Sequence, residues 1–183
     1  MPRILILIWL ALFLIACSRG ETKPQEPTPK ASDISNEGVV LALDGRFEEA
    51  IARFNSAILL DPTIAATYLN RGLAHFRIEE YQLALNNYDQ ALSVDPQFAT
   101  AYSYRAITHV ALGLIQEAIV DSDAAIRLDP ELPASYLSRG ISNAYLGNYQ
   151  LAIDDYDKAI SLDPAYFYAY DERGNAHSQL GLH

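Results

Sequence analysis

The sequence has little cysteine, few basic residues and no long apolar run. Its 183 residues include one cysteine, which excludes an intrachain disulfide framework and a zinc site built from cysteines. Thirteen lysines and arginines stand against 23 acidic residues, so the formal net charge is −10. An acidic surface without a Lys/Arg cluster repels phosphate groups, so we expect no nucleic acid partner. We find neither a Ser/His/Asp grouping nor a glycine-rich phosphate loop, and we predict no enzyme activity, cofactor or metal.

The longest apolar run, from Ile4 to Ala16, is shorter than the roughly 20 residues that a membrane-spanning helix needs. Arg3 precedes it, which is typical of a secretory signal. The run ends in Leu14-Ile15-Ala16-Cys17, which resembles the bacterial lipobox. The resemblance implies a lipoprotein signal peptide over residues 1–16 that is removed, followed by lipid attachment to the Cys17 sulfur. An incidental cysteine after an apolar run is the alternative.

Lipid on Cys17 would make the membrane a partner, because several acyl chains together anchor a protein stably. Residues 17–30 are polar and contain three prolines, so we expect an extended, disordered tether. The predicted location is the bacterial cell envelope, with lipid anchorage on the periplasmic face of the outer membrane in a Gram-negative host.

An Asp-Pro pair recurs every 34 residues in the rest of the chain, at Asp61-Pro62, Asp95-Pro96, Asp129-Pro130 and Asp163-Pro164. In the same register, small residues recur at positions 38, 72, 106, 140 and 174, and alanines at 50, 84, 118 and 152 and at 57, 91, 125 and 159. Large aromatic residues recur at positions 68, 102, 136 and 170. This pattern resembles the tetratricopeptide repeat (TPR).

The resemblance implies an all-α fold, a right-handed α-α superhelix of about four and a half helix-turn-helix repeats. We place the repeats at residues 31–64, 65–98, 99–132 and 133–166, with a half repeat or C-terminal capping helix at 167–183. Small residues let paired helices approach closely, and Asp before Pro ends the second helix of each repeat. Glycine suits the turn between the two helices, where Glu79 departs from the pattern.

Two further sets of residues recur with the repeat. The arginines are Arg71, Arg105, Arg139 and Arg173, and the acceptors on the second helices are Asn87, Asp121 and Asp155. Bridges between helices are favoured over a basic ladder for an acidic peptide, because a lone buried arginine is costly. His75, His109 and His177 share one position, but equivalent positions in adjacent repeats lie too far apart for one metal ion, so packing is the better interpretation.

In the TPR family, the first helices line the concave surface. The positions that face this surface in the family are occupied here by Leu69, Asn70, Leu73, Phe76, Ile107, Val110, Leu137 and Ile141. They predict a groove for a peptide or helix of another protein, although several could instead belong to the core between repeats. The Lys, Asn and Arg set with which related domains clamp chaperone tails is absent, so we do not expect chaperone-tail binding.

The sequence therefore predicts a membrane-anchored adaptor or assembly factor that binds an unidentified protein. Two alternatives stay open. One is a structural scaffold that self-associates through its ends or edge, and the other is a non-catalytic subunit of a larger enzyme.

Overall fold

The computed structural model describes residues 29–181, and in this range the chain is entirely helical. The prediction for Cys17 and the tether up to residue 28 lies outside the described residues. Nine helices follow one another in the described range: α1 (Ala31–Leu43), α2 (Phe47–Leu60), α3 (Ala65–Arg77), α4 (Tyr81–Val94), α5 (Ala99–Ala111), α6 (Ile115–Leu128), α7 (Pro133–Tyr145), α8 (Tyr149–Leu162) and α9 (Phe167–Gln179). Of these nine, none has both the length and the apolar character needed to cross a bilayer.

The helices pack as consecutive antiparallel pairs, each pair against the next, which confirms the predicted TPR solenoid. The odd-numbered helices are the first helices of the repeats, and the even-numbered helices are the second. The first helices of successive repeats also contact one another directly: α1 contacts α3, α3 contacts α5, α5 contacts α7 and α7 contacts α9. In the described range, second helices of successive repeats make no such contact with one another. First helices therefore line the inner side of the stack.

The Asp-Pro pairs end the second helices as expected. The aspartate before each proline leaves the helical region, with φ of −145° at Asp61 and −141° at Asp129. Its side chain then accepts a hydrogen bond from the backbone N–H two residues on, at 2.9 Å for Thr63 and 3.0 Å for Glu131. This turn fixes the angle at which the next first helix begins.

The turn inside each repeat needs a left-handed residue. Glycine supplies it at Gly45, Gly113, Gly147 and Gly181, with φ between 70° and 79°. Glu79 occupies the same place in the second repeat with φ of 63°, a conformation that is costly for a residue with a Cβ. The turn keeps the same backbone hydrogen bond as the glycine turns, from Glu80 N–H to the His75 carbonyl at 2.9 Å.

The recurring small and aromatic positions form the core. Gly72 lies directly against the ring of Tyr88, and Gly140 against that of Tyr156, with both rings fully buried. In the third repeat, Ala106 and Ser122 replace the glycine and the aromatic residue. Both are fully buried, and the Ser122 hydroxyl lies 2.7 Å from that of Ser138 and donates to the Ala118 carbonyl. A hydroxyl pair thus occupies the place of a ring.

Candidate functional site: a groove on the first helices

A groove of about 400 Å³ lies on the inner side of the first three repeats. We call it the N-terminal groove. It is lined by side chains from helices α1, α3 and α5 with two from α2, namely Val39, Ala42, Leu43, Phe47, Phe54, Asn70, Leu73, Ala74, Phe76, Arg77 and Tyr104. Most of these are apolar or aromatic, and Leu43 is 82 % exposed. The wall of the groove is therefore a surface that a partner could cover.

Helix geometry brings these residues together. Leu73 and Phe76 are three residues apart on α3 and so lie on one face of that helix. The Phe76 ring packs at 5.4 Å, centroid to centroid, against Tyr81 at the start of α4, which holds it at the edge of the groove. Both Leu73 and Phe76 are half-buried, so their outer sides remain accessible.

One cation lies at this groove. The Arg77 guanidinium stacks over the Phe47 ring at 5.1 Å. Arg77 is exposed, and no carboxylate of the described residues lies within 4.0 Å of its nitrogens. Within the described range its five N–H donors therefore have no carboxylate partner, and a carboxylate from outside could accept from them.

A second groove of about 380 Å³ lies farther along the inner side, and we call it the C-terminal groove. Its lining is more polar and comes from helices α5, α7, α8 and α9: Val110, Ile141, Ala144, Tyr145, Tyr149, Glu172 and Gln179. The carboxylate of Glu172 gives this end of the inner surface the opposite charge to Arg77.

The structure divides the eight predicted groove residues into four groups. Asn70, Leu73 and Phe76 line the N-terminal groove, whereas Val110 and Ile141 line the C-terminal groove. Ile107 is half-buried and lines neither. Leu69 and Leu137 are only 6 % exposed and belong to the core clusters, so they hold repeats together and do not form groove surface.

Sequence reasoning missed Val39, Leu43, Phe47, Arg77 and Tyr104. The signal for two of them was present, because the 34-residue period maps the predicted residue Leu73 onto Val39 and the predicted residue Asn70 onto Tyr104. Phe47 lies on a second helix, where family resemblance gave no reason to look.

The recurring arginines bridge neighbouring second helices, which confirms the structural interpretation. Arg105 donates from Nε and one terminal nitrogen to Asp121, at 2.7 and 2.6 Å, and from the other to Asp89 at 2.6 Å. Arg139 bridges Asp155 and Asp123 in the same way, whereas Arg71 donates only from Nε to Asn87 and from one terminal nitrogen to Asn55. These arginines stack on the tyrosine three residues earlier, at 5.3 to 5.8 Å from the ring centroid.

Burial and ion pairing shift the pKa of Asp121 in opposite directions. Desolvation pushes the pKa of this carboxyl upward, but the hydrogen bonds from Arg105 and His109 and the positive charge of Arg105 outweigh it, so the pKa lies below its ordinary value. The hydrogen bonds that Arg105 donates to Asp121 in turn raise the pKa of Arg105. The pair is therefore ionised at neutral pH and serves to fix two second helices.

The histidines also pair within the scaffold. His75 Nδ1 lies 2.6 Å from a Glu80 carboxylate oxygen across the turn of the second repeat. His109 Nε2 lies 3.4 Å from Asp121. Each of these two histidines therefore has its own acidic neighbour.

Comparisons with known proteins agree with this geometry. A family model described as TPR repeat matches residues 38–79 and 142–181, and one described as tetratricopeptide repeat matches residues 65–98, which together cover more than half of the chain. The Protein SGT1 homolog of Oryza sativa subsp. japonica is 50 % identical over 40 residues, 22 % of this chain. This match spans 11 % of the length of that protein.

Solved structures share the fold. The crystal structure of MamA protein superposes with a TM-score of 0.68 at 25 % identity, covering 83 % of both chains. A tetratricopeptide repeat protein from Parabacteroides merdae superposes with a TM-score of 0.72 at 23 % identity, covering 92 % of this chain and 65 % of that one. The first TPR of Spaghetti (RPAP3), solved with the HSP90 peptide SRMEEVD, gives 0.61 at 24 % identity, covering 66 % of this chain and 96 % of that one. The TPR fold is typically a non-catalytic scaffold for protein interaction, and this chain belongs to the tetratricopeptide-repeat family.

Proposed function

We propose that this protein is a membrane-anchored adaptor or assembly factor of the bacterial cell envelope, and that it binds a peptide or short helix of a partner protein in the N-terminal groove. The observation that carries the proposal is the groove itself. Val39, Leu43, Phe47, Leu73 and Phe76 form one apolar surface on the first two repeats. An apolar groove of this kind accepts the apolar face of an amphipathic segment.

The groove also favours one kind of partner. Its walls are apolar, so the affinity would come from buried aliphatic or aromatic side chains of the partner. Arg77 adds one free cation at the edge, which suits a single carboxylate on the same segment. Among the lining residues there is one arginine and no lysine, so a tail with several acidic residues would find only one charged partner.

In-cell photocrosslinking tests this function. A photoreactive residue at Leu73 would lie in the groove, whereas one at Leu151 would lie on the second helix α8, where the side chain is 55 % exposed and lines neither groove. We expect a defined protein adduct at Leu73 and none at Leu151. Equal adducts at both positions, or none at Leu73, would count against groove binding.

Charge substitutions at the same positions test how much the apolar wall contributes to partner binding. Leu73→Glu places a carboxylate against the apolar wall and should weaken partner binding at least tenfold, whereas Leu151→Glu changes the charge equally and should leave binding unaltered. Arg77→Ala should weaken binding by a smaller factor, at most about fivefold, because an exposed ion pair contributes only about 0.2–1 kcal/mol. Circular dichroism confirms that each variant is folded.

Anchorage rests on the lipobox, and its test is separate. Cys17→Ser removes the thiol that would carry lipid, so we expect the protein to move from the membrane fraction to the soluble fraction. Ser18→Ala is the control and should leave the distribution unchanged. Membrane association that survives Cys17→Ser would show that lipid on this cysteine is not the anchor.

A further inference from the structure

The two grooves are formed by equivalent positions of the repeat, three repeats apart. One wall of the N-terminal groove is formed by Val39, Ala42, Leu43 and Phe47. A shift by three repeats maps these residues onto four that line the C-terminal groove, namely Ile141, Ala144, Tyr145 and Tyr149. The same shift maps Asn70 onto Glu172 and Arg77 onto Gln179, which also line the C-terminal groove. The inner side of the stack therefore presents the same surface twice.

The first wall has the same character in both grooves. Val39 and Ile141 are half-buried aliphatic residues at one position, and Phe47 and Tyr149 are half-buried aromatic residues at another. At the outer edge, Leu43 is 82 % exposed and Tyr145 is 69 % exposed. Each groove therefore offers an apolar or aromatic wall on which side chains of another molecule could be buried.

The second wall differs in charge between the two grooves. In the N-terminal groove α3 contributes the amide of Asn70 and the guanidinium of Arg77, whereas in the C-terminal groove α9 contributes a carboxylate at Glu172 and an amide at Gln179. Glu172 is half-buried, and no Arg, Lys or His nitrogen of residues 29–181 lies within 4.0 Å of its carboxylate. The sign of the charge beside the apolar wall is therefore opposite in the two grooves.

The position of Glu172 in the groove does not depend on which helix follows α9. Asn70, its equivalent on α3, lines the N-terminal groove although α3 also packs against α4, the second helix of its own repeat. The inner side of a first helix thus stays open in a complete repeat.

From this repeated surface with opposite charge we infer that the C-terminal groove is a second docking site, for an amphipathic segment of another protein that carries lysine or arginine. The aliphatic or aromatic side chains of that segment would cover Ile141 and Tyr149, and its cation would pair with Glu172. This inference goes beyond the proposed function, which concerns the N-terminal groove.

The two sites can be occupied together. None of the residues that line one groove lines the other. Arg77 attracts a carboxylate and Glu172 repels one, so a segment suited to the first groove is disfavoured in the second. The chain would then hold two different segments side by side, one acidic and one basic.

A selection from random peptides tests this inference without a known partner. Phage-displayed peptides of about 12 residues, or roughly three helical turns, are selected on the full-length chain. Fluorescence anisotropy then measures the affinity of each enriched peptide for the chain and for two matched variants, Leu43→Ala and Tyr145→Ala. Both residues are exposed and occupy equivalent positions, so neither substitution should alter the fold.

We expect the peptides to fall into two sets. Those weakened by Tyr145→Ala should carry lysine or arginine beside apolar residues, and those weakened by Leu43→Ala should carry aspartate or glutamate. Glu172→Gln should weaken the first set by about two- to fivefold, as an exposed ion pair would, and leave the second set unchanged. Glu172→Lys should weaken the first set further, because a lysine there repels the cation.

The inference is overturned if no enriched peptide is weakened by Tyr145→Ala, or if the peptides that are weakened carry as many acidic as basic residues. Indifference of these peptides to Glu172→Lys would also overturn it. The same data separate the two sites: an empty Leu43-sensitive set beside a basic Tyr145-sensitive set would count against binding in the N-terminal groove alone.

Discussion

Two glycines at the same repeat position should respond in opposite directions to one added methyl group. Gly140 and Gly174 both lie in the middle of a first helix, on α7 and α9, 34 residues apart. Substitution by alanine gives each helix the same gain in propensity, about 0.5–1 kcal/mol. Only the surroundings of the new Cβ differ, so the pair isolates the effect of packing.

At Gly140 the methyl group has no room. Its Cβ would lie 2.5 Å from Cε1 of Tyr156 and 3.2 Å from the Ala152 carbonyl oxygen. Tyr156 is fully buried, so its ring has no free space into which it could turn. Overpacking of a well-packed core costs about 1–3 kcal/mol, which exceeds the gain in helix propensity. We therefore expect Gly140→Ala to lower the free energy of unfolding by about 1–2 kcal/mol.

At Gly174 no atom of residues 29–181 lies within 4 Å of the new Cβ, so only the propensity gain remains. Gly174→Ala should therefore raise the free energy of unfolding by about 0.5–1 kcal/mol. Urea denaturation followed by circular dichroism measures both variants against the unaltered chain. Equal effects at the two positions, or destabilisation by Gly174→Ala, would refute the argument that close helix approach fixes these glycines.

Two further predictions concern the scaffold. The lowered folded pKa of Asp121 means that its contribution to stability is present above the ordinary value of 3.8 and is lost as the pH falls through the folded pKa. Asp121→Asn should lower the free energy of unfolding by about 1–2 kcal/mol at pH 7, and it should make that free energy less dependent on pH below about 5. An acid-unfolding curve that is the same in the variant would contradict the pairing with Arg105. Glu79→Gly should raise the free energy of unfolding by about 1 kcal/mol, because glycine removes the cost of a left-handed residue, and Gly147→Ala should lower it by a similar amount. If Glu79→Gly does not raise the melting temperature, the backbone is not strained at residue 79.

The fold was predictable from the sequence because its determinants repeat. Each Asp-Pro pair and each inner glycine has the same physical role in every repeat, so one pattern predicted where the second helices end and where paired helices approach closely. The arginine bridges were predictable for the same reason, since Arg105 and Asp121 recur together with their equivalents. What repeats in the sequence is what holds the stack together.

The groove was less predictable because the sequence pattern does not show which residues of a first helix remain at the surface. Leu69 and Asn70 are adjacent in sequence, yet Leu69 is buried in the core and Asn70 lines the groove. Both belong to the set of positions that line the concave surface in the family. Which of them packs against the next repeat depends on the tilt between helices, which a linear pattern does not contain.

The two ends of the inner surface therefore differ in chemistry although the backbone repeats. The position of Leu73 holds Val39, Ile107 and Ile141 in the other repeats, so an aliphatic stripe runs along the stack. The position of Arg77 instead holds Leu43 in the first repeat and Tyr145 in the fourth, and Glu172 adds a negative charge to the C-terminal groove. A segment with a carboxylate would be attracted to Arg77 at one groove and repelled by Glu172 at the other. A single acidic, amphipathic segment should consequently bind the first three repeats and leave the C-terminal groove free, which makes binding sensitive to Leu73→Glu and insensitive to Ile141→Glu.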